Sequence, residues 1–176
     1  MRQKIAIPEE ASSPEKVVGV NFTSIATPEI YLGYQFARSN IGNDEGLQPE
    51  AVVAYTAPSK SSYGELVPNM VYVGGTWKNN PDSLELVSDE GRVVLKYTAR
   101  AVNIVAGSSQ QPALLQAILD GNFVNSTNSG SDVKKSLATV DEQRLYNLVM
   151  DNGYHTKTIE VNVRGKGFRL YTFTFG

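Results

Sequence analysis

The sequence predicts an all-β protein, an antiparallel sandwich of packed sheets. Two observations carry this. Short stretches of alternating apolar and polar residues recur along the chain, and Gly-, Pro- and Asn-rich turns separate them at near-regular intervals. The closing "GFRLYTFTFG" places Tyr171, Phe173 and Phe175 at alternate positions, where most chain ends are polar. Greek-key wiring lets such a terminal strand lie between others inside a sheet. A chain of 176 residues suits one domain rather than two.

Taken in order, residues 1–23 hold Pro8, Pro14, Glu9 and Glu10 and read as a linker or lead-in, with one short strand at "KVVGVNF". The domain proper is expected over 24–176. In 27–39, Ile30, Leu32, Tyr34 and Phe36 share one parity, which predicts a strand with one buried face. "NIGNDEG" is a loop. Pro49 in "LQPEAVVAYTAP" stands like the first residue of a helix of one or two turns. "SKSSYGE" is another loop. "NMVYVGGTW" (69–77) reads as a strand interrupted at Gly74-Gly75 by a bulge or a close backbone approach. "KNNPDS" is a turn.

"SLELV" and "RVVLKYTARAVNIVAG" lie on either side of Asp89-Glu90-Gly91. The second stretch exceeds the usual strand of about 5–6 residues. A corner is therefore expected near Ala99–Ala101, so that its halves serve different sheets. "ALLQAILDGNF" is a strand closing on the Asp120-Gly121 turn. The stretch 131–150 fits two patterns. Val133, Leu137, Val140 and Leu148 can share a helical face capped by Ser131 or Asp132; equally, "QRLYNLVM" can form a strand. Ile159, Val161 and Val163 alternate with Thr158, Glu160 and Asn162. A glycine turn and the aromatic run follow, which predicts a β-hairpin.

Composition narrows the function. The chain is 41% hydrophobic and 19% charged, with net charge −2 and pI near 5.5. It has no basic excess of the kind a general nucleic-acid or anionic-membrane surface needs. It has no cysteine, so a disulfide framework, a thiolate metal site and a redox dithiol are excluded within it. No run of 18 apolar residues suggests a membrane-spanning helix, and "MRQKIAIPEE" is a poor signal peptide.

The catalytic motifs are thin. His155 is the only histidine and sits beside Asn152-Gly153, where a surface or strand-end role suits it. No G-x-S-x-G and no phosphate loop is present. The acidic pairs Glu9-Glu10, Asp44-Glu45, Asp89-Glu90 and Asp141-Glu142 are sequence neighbours, which do not face each other across a cleft. Asn21-Phe22-Thr23 and Asn125-Ser126-Thr127 match a glycosylation sequon, significant only in a eukaryotic secretory pathway. No catalytic residue, metal ligand or cofactor is expected. "NPDS" and "DNG" offer oxygens for a structural Ca²⁺, but no contiguous ligand pattern supports one. What remains suits binding. Trp77 and the nine tyrosines have apolar faces for sugar rings and polar edges for hydroxyls, although such residues also fill sandwich cores. Asp120, Gln143, Arg144 and Asn147 add hydrogen-bonding groups.

The motifs "TPEIYLGYQFA", "GTW", "LKYTARAVNIVAG", "EQRLYNLV" and "YTFTFG", in that order, resemble the domain that follows the thioredoxin-like domain in DipZ-type bacterial thiol–disulfide and cytochrome c biogenesis proteins and in soluble redoxin-domain proteins. The resemblance covers about residues 24–176. It implies a carbohydrate-binding-module-like (galactose-binding-like) jelly-roll β-sandwich with one or two short helices, and a strand at "QRLYNLV". It also implies an extracytoplasmic location and an upstream thioredoxin-like partner carrying the Cys-x-x-Cys, with residues 1–23 as linker.

The leading expectation is a non-catalytic module that binds a glycan, an envelope polymer or an envelope protein. Trp77 and Tyr146 are the candidate platform, with Arg100, Asp120, Arg144 and His155 as further ligand-binding candidates. Arg100, Asp120, Arg144 and Tyr146 match motif positions of the resemblance. The alternatives are a structural domain that packs on the thioredoxin unit and shapes access to its dithiol, and a hydrolase on a sandwich scaffold.

Overall fold

Two strands are far longer than the rest and organise the molecule. The protein is seen in a computed structural model that describes residues 27–176. The lead-in, the strand expected at "KVVGVNF" and the Asn21 sequon lie outside the described residues. The strands are β1 (Ile30–Tyr31), β2 (Val52–Tyr55), β3 (Val71–Asn79), β4 (Leu84–Leu86), β5 (Glu90–Ser108), β6 (Ala113–Leu119), β7 (Asn122–Phe123), β8 (Leu137–Val140), β9 (Arg144–Arg164) and β10 (Phe168–Phe175), with a 3₁₀ turn at Lys60–Glu65. Every pairing between them is antiparallel.

β5 and β9 pair along almost their whole length, and the register breaks between Ala99 and Ala101. There both strands turn the predicted corner. Before it, β5 pairs with the start of β3, and the second half of β9 pairs with β6. After it, β5 pairs with β10 on its other edge. β3 also changes partner, from β5 at Val71–Gly74 to β4 at Trp77–Asn79, across Gly74-Gly75 as expected. The outcome is a jelly-roll sandwich. Its front layer contains β6, the second half of β9 and the first half of β5. Its back layer contains the first half of β9, the second half of β5, β10, β1 and β4.

Between the layers lies one apolar core. Trp77, Tyr97, Tyr146, Phe168 and Phe173 are its largest fully buried side chains. β10 is held on both edges, by β5 on one side and by β1 and β4 on the other, so the terminal strand is interior. The Gly176 carbonyl accepts hydrogen bonds from the Arg100 and Ala101 N–H groups at the corner, at 2.9 and 2.8 Å. Burying a phenylalanine such as Phe173 stabilises the sandwich by about 1.5–3 kcal/mol.

Four local expectations change. The predicted hairpin is an arch: β9 and β10 do not pair, because β5 stands between them. Gly165 (φ 141°) and Gly167 (φ 84°) let the chain cross from the front to the back layer within Gly165–Gly167. Period-two patterning and a glycine turn are common to hairpins and arches. Residues 27–39 form only the short β1, since the Phe36 and Ala37 N–H groups fold back onto the Gly33 carbonyl. Phe36 is consequently 57% exposed. After Pro49 there is no helix: Glu50 adopts φ 60°, the Ala51 N–H closes a turn on Gln48, and β2 pairs with β3. "SKSSYGE" is the 3₁₀ turn rather than an open loop. The helical alternative for 131–150 is not adopted; β8 and the start of β9 occupy its end.

Candidate functional site

Strand alternation places Ile159, Val161 and Val163 in the core. It turns Thr158, Glu160, Asn162 and Arg164 onto the outer face of the front layer. Register then fixes their neighbours. Glu90, Arg92, Val94 and Lys96 of β5 oppose Arg164, Asn162, Glu160 and Thr158. Gln116 of β6 opposes Asn162 from the other side. The row Arg92–Asn162–Gln116 therefore crosses three strands. The 3₁₀ turn walls one side of this face and Leu137 of β8 the other. Three hollows lie along it and together make it a trough: two of about 340 and 440 Å³ that share Glu90, Gly91 and Asn162, and one of about 390 Å³ beyond them at Glu160.

The trough is anchored by a nearly buried carboxylate. Glu160 is 3% exposed. Its Oε2 accepts a 2.8 Å hydrogen bond from the Tyr63 hydroxyl, and its Oε1 lies 3.9 Å from Lys60 Nζ and 4.0 Å from Arg92 Nη1. Arg92 Nη2 also donates to the Pro58 carbonyl at 2.7 Å. Burial pushes the Tyr63 phenol well above its ordinary value, the bond to the Glu160 carboxylate adds to this, and Arg92 opposes it. Tyr63 therefore stays a neutral donor to Glu160.

Beside this fixed cluster, Asn162 and Gln116 are half-buried and line the 340 Å³ hollow. Among the described residues neither side-chain amide has a hydrogen-bond partner. A primary amide offers two donors and an acceptor in one plane. Two of them side by side, with Arg92 behind and the Glu90–Arg164 ion pair (2.9 Å) at the rim, form a ready hydrogen-bonding surface.

The residues singled out from sequence scatter. Trp77 is fully buried; its indole N–H donates to the Gly74 carbonyl at 2.9 Å, and its ring packs where a Cβ on Gly91 would come within 2.8 Å of it. Tyr146 is likewise buried, with its hydroxyl donating to the Glu142 carbonyl at 2.7 Å and the Arg144 guanidinium 3.8 Å above its ring. Neither is an exposed platform, which corrects that expectation. Each shares parity with core residues, Trp77 with Val71 and Val73, Tyr146 with Leu148, and this signal was present in the sequence.

Arg144 is committed to Asp132 at 2.9 Å, in the back layer. Arg100 and His155 lie near the corner. Arg100 Nε donates to the Asp151 carbonyl at 3.1 Å, and His155 Nε2 stands 3.3 Å from Asn152 Oδ1. Asp120 alone reaches the trough; its Oδ1 accepts the Thr158 N–H at 2.8 Å. The structure does not bring these six residues together. Arg92, Gln116, Glu160 and Asn162 escaped notice because β-register, unlike parity, is set by the fold.

Among the described residues no three His, Asp or Glu side chains gather as a metal-ligating set. Asp82 of "NPDS" accepts a hydrogen bond from Ser83 at 3.0 Å. No helix among them is long and apolar enough to cross a membrane.

The chain matches the family described as "Thioredoxin like C-terminal domain" over residues 27–176. It belongs to that family, as the order of its motifs indicated. No curated protein matches it. Seven solved chains match. One is a family two carbohydrate esterase from Cellvibrio japonicus, 15% identical with a TM-score of 0.48, covering 60% of this chain and 30% of that one. This chain thus spans well under half the length of that protein.

Proposed function

We propose that this domain is a non-catalytic accessory unit of an extracytoplasmic, DipZ-type thioredoxin-family protein, and that it binds carbohydrate or another hydroxyl-rich envelope polymer in the front trough. The observation that carries this is the pair of partnerless amides, Asn162 and Gln116, held side by side in a half-buried hollow. Sugar hydroxyls supply the donors and acceptors that such amides lack. Recognition then rests on planar polar groups, with Tyr63 at the margin, and not on stacking over Trp77. A neutral hydrogen bond contributes about 0.5–1.5 kcal/mol, so a few of them give affinities of about millimolar strength. The chain has no cysteine, so thiol chemistry belongs to the upstream thioredoxin-like domain that the family description suggests. The domain itself needs no cofactor.

Amide NMR titration with neutral oligosaccharides tests the reading. Shifts are expected to cluster at Arg92, Gln116, Glu160 and Asn162. No shift at tens of millimolar for any glycan would sink it. One observation favours the bracing role: Leu145 and Met150, 49% and 42% exposed, stand on the back-layer half of β9, where an adjoining thioredoxin unit can cover them. Disulfide-exchange rates of the two-domain protein equal to those of the isolated thioredoxin unit would count against that role.

A further inference from the structure

The trough is not uniform along its length. Its corner end is the 390 Å³ hollow lined by Lys60, Tyr63, Lys96, Asp120, Lys157 and Glu160. Both carboxylates there are already engaged, Asp120 by the Thr158 N–H and Glu160 by Tyr63 with Lys60 and Arg92 close by. Lys157 is held by Asp151. Lys96 is different. It is half-buried, its ammonium donates to the Gly64 carbonyl at 3.3 Å, and among the described residues it forms no ion pair with a carboxylate. Lys60 is also mostly in solvent, with 67% of its side chain exposed. An ammonium partly removed from water without a counter-ion is unfavourable, and an incoming anion relieves it.

We infer that this hollow is a subsite for a carboxylate-bearing sugar, a uronate residue within the polymer that the trough binds. The uronate carboxylate accepts from Lys96 and Lys60. Its ring hydroxyls face the outer oxygen of Asp120 and the Thr156 hydroxyl, which is already paired with Thr98 at 2.6 Å. Charge-assisted bonds are roughly twice as strong as neutral ones, so acidic ligands gain over neutral ligands of the same length. The inference rests on the carbohydrate reading above and deepens it.

Calorimetry on the full chain separates the two. Tetragalacturonate is compared with a neutral galactose tetrasaccharide at low and at high salt. The uronate is expected to bind about tenfold more tightly at low salt, an advantage that salt erases. Lys96→Gln, and separately Lys60→Gln, should bring the uronate down towards the neutral ligand. A folded spectrum of each variant excludes collapse as the cause. Equal affinity for the two sugars would overturn the uronate subsite while leaving the carbohydrate reading intact. Binding of neither sugar would overturn both. A hexaglutamate peptide binding as tightly as the uronate would overturn the assignment to a sugar.

Discussion

The two outer faces of the sandwich use the same side chains to opposite ends. On the back layer, Asn147 Nδ2 donates to Asn103 Oδ1 at 2.7 Å and to the Val149 carbonyl at 3.1 Å, while its Oδ1 accepts the Ser131 N–H at 2.8 Å. Asn103 passes a further 3.3 Å bond to Thr174. That network is closed on itself. On the front layer, Asn162 and Gln116 have no such partners among the described residues. Residue type therefore does not mark a binding face. The proposed binding face is instead chosen by its unspent hydrogen-bonding capacity in a hollow.

The broadest way to break the contrast is to remove what both faces share. Trp77→Ala should cost about 3–5 kcal/mol, read as a fall in the urea midpoint, with both faces lost together. A more selective change is Asn147→Ala, which strands the Ser131 N–H and the Asn103 amide. It should destabilise by about 1–3 kcal/mol and leave any front-face ligand untouched. The mirror experiment is Asn162→Ala. Stability should stay within about 0.5 kcal/mol, since no intramolecular bond is lost, while glycan affinity falls about tenfold in a calorimetric titration.

The smallest effect lies at the corner that joins the faces. Burial raises the Asp151 carboxyl, but the Lys157 ammonium, the Asn152 N–H and nearby His155 outweigh it and hold it below the ordinary carboxylate range. A depressed carboxyl stabilises the fold above its unfolded value and loses that contribution as pH falls through the folded one. The difference in thermal midpoint between wild type and Asp151→Asn should therefore be largest near neutrality and shrink on acidification.

Much of the architecture was legible in the sequence because it rests on length and parity. "RVVLKYTARAVNIVAG" was too long for one flat strand, so the corner at Ala99–Ala101 followed. The alternation of Tyr171, Phe173 and Phe175 with polar residues marked the final strand, but the register break after Leu170, which buries Phe168 and Leu170 with Phe173 and leaves Tyr171 and Phe175 half-buried, was not visible. Connectivity was less legible. Nothing local in "VRGKGF" distinguishes a return to β9 from a jump to the opposite layer, since the deciding fact is that β5 already occupies the intervening edge. The site was least legible of all. Parity showed that Glu160 and Asn162 face outward, but which residues they meet there depends on a pairing between segments some 70 positions apart in the chain.

The corner carries a mechanical consequence. Since β3, β5 and β9 each belong to both layers, neither layer can slide over the other without tearing rungs at every turning point. Slowly exchanging amides should therefore run continuously from one layer to the other, as one cooperative unit. A polymer lying across the front would meet an unyielding bed, and tension on it would be transmitted undiminished to whatever the chain is tethered to.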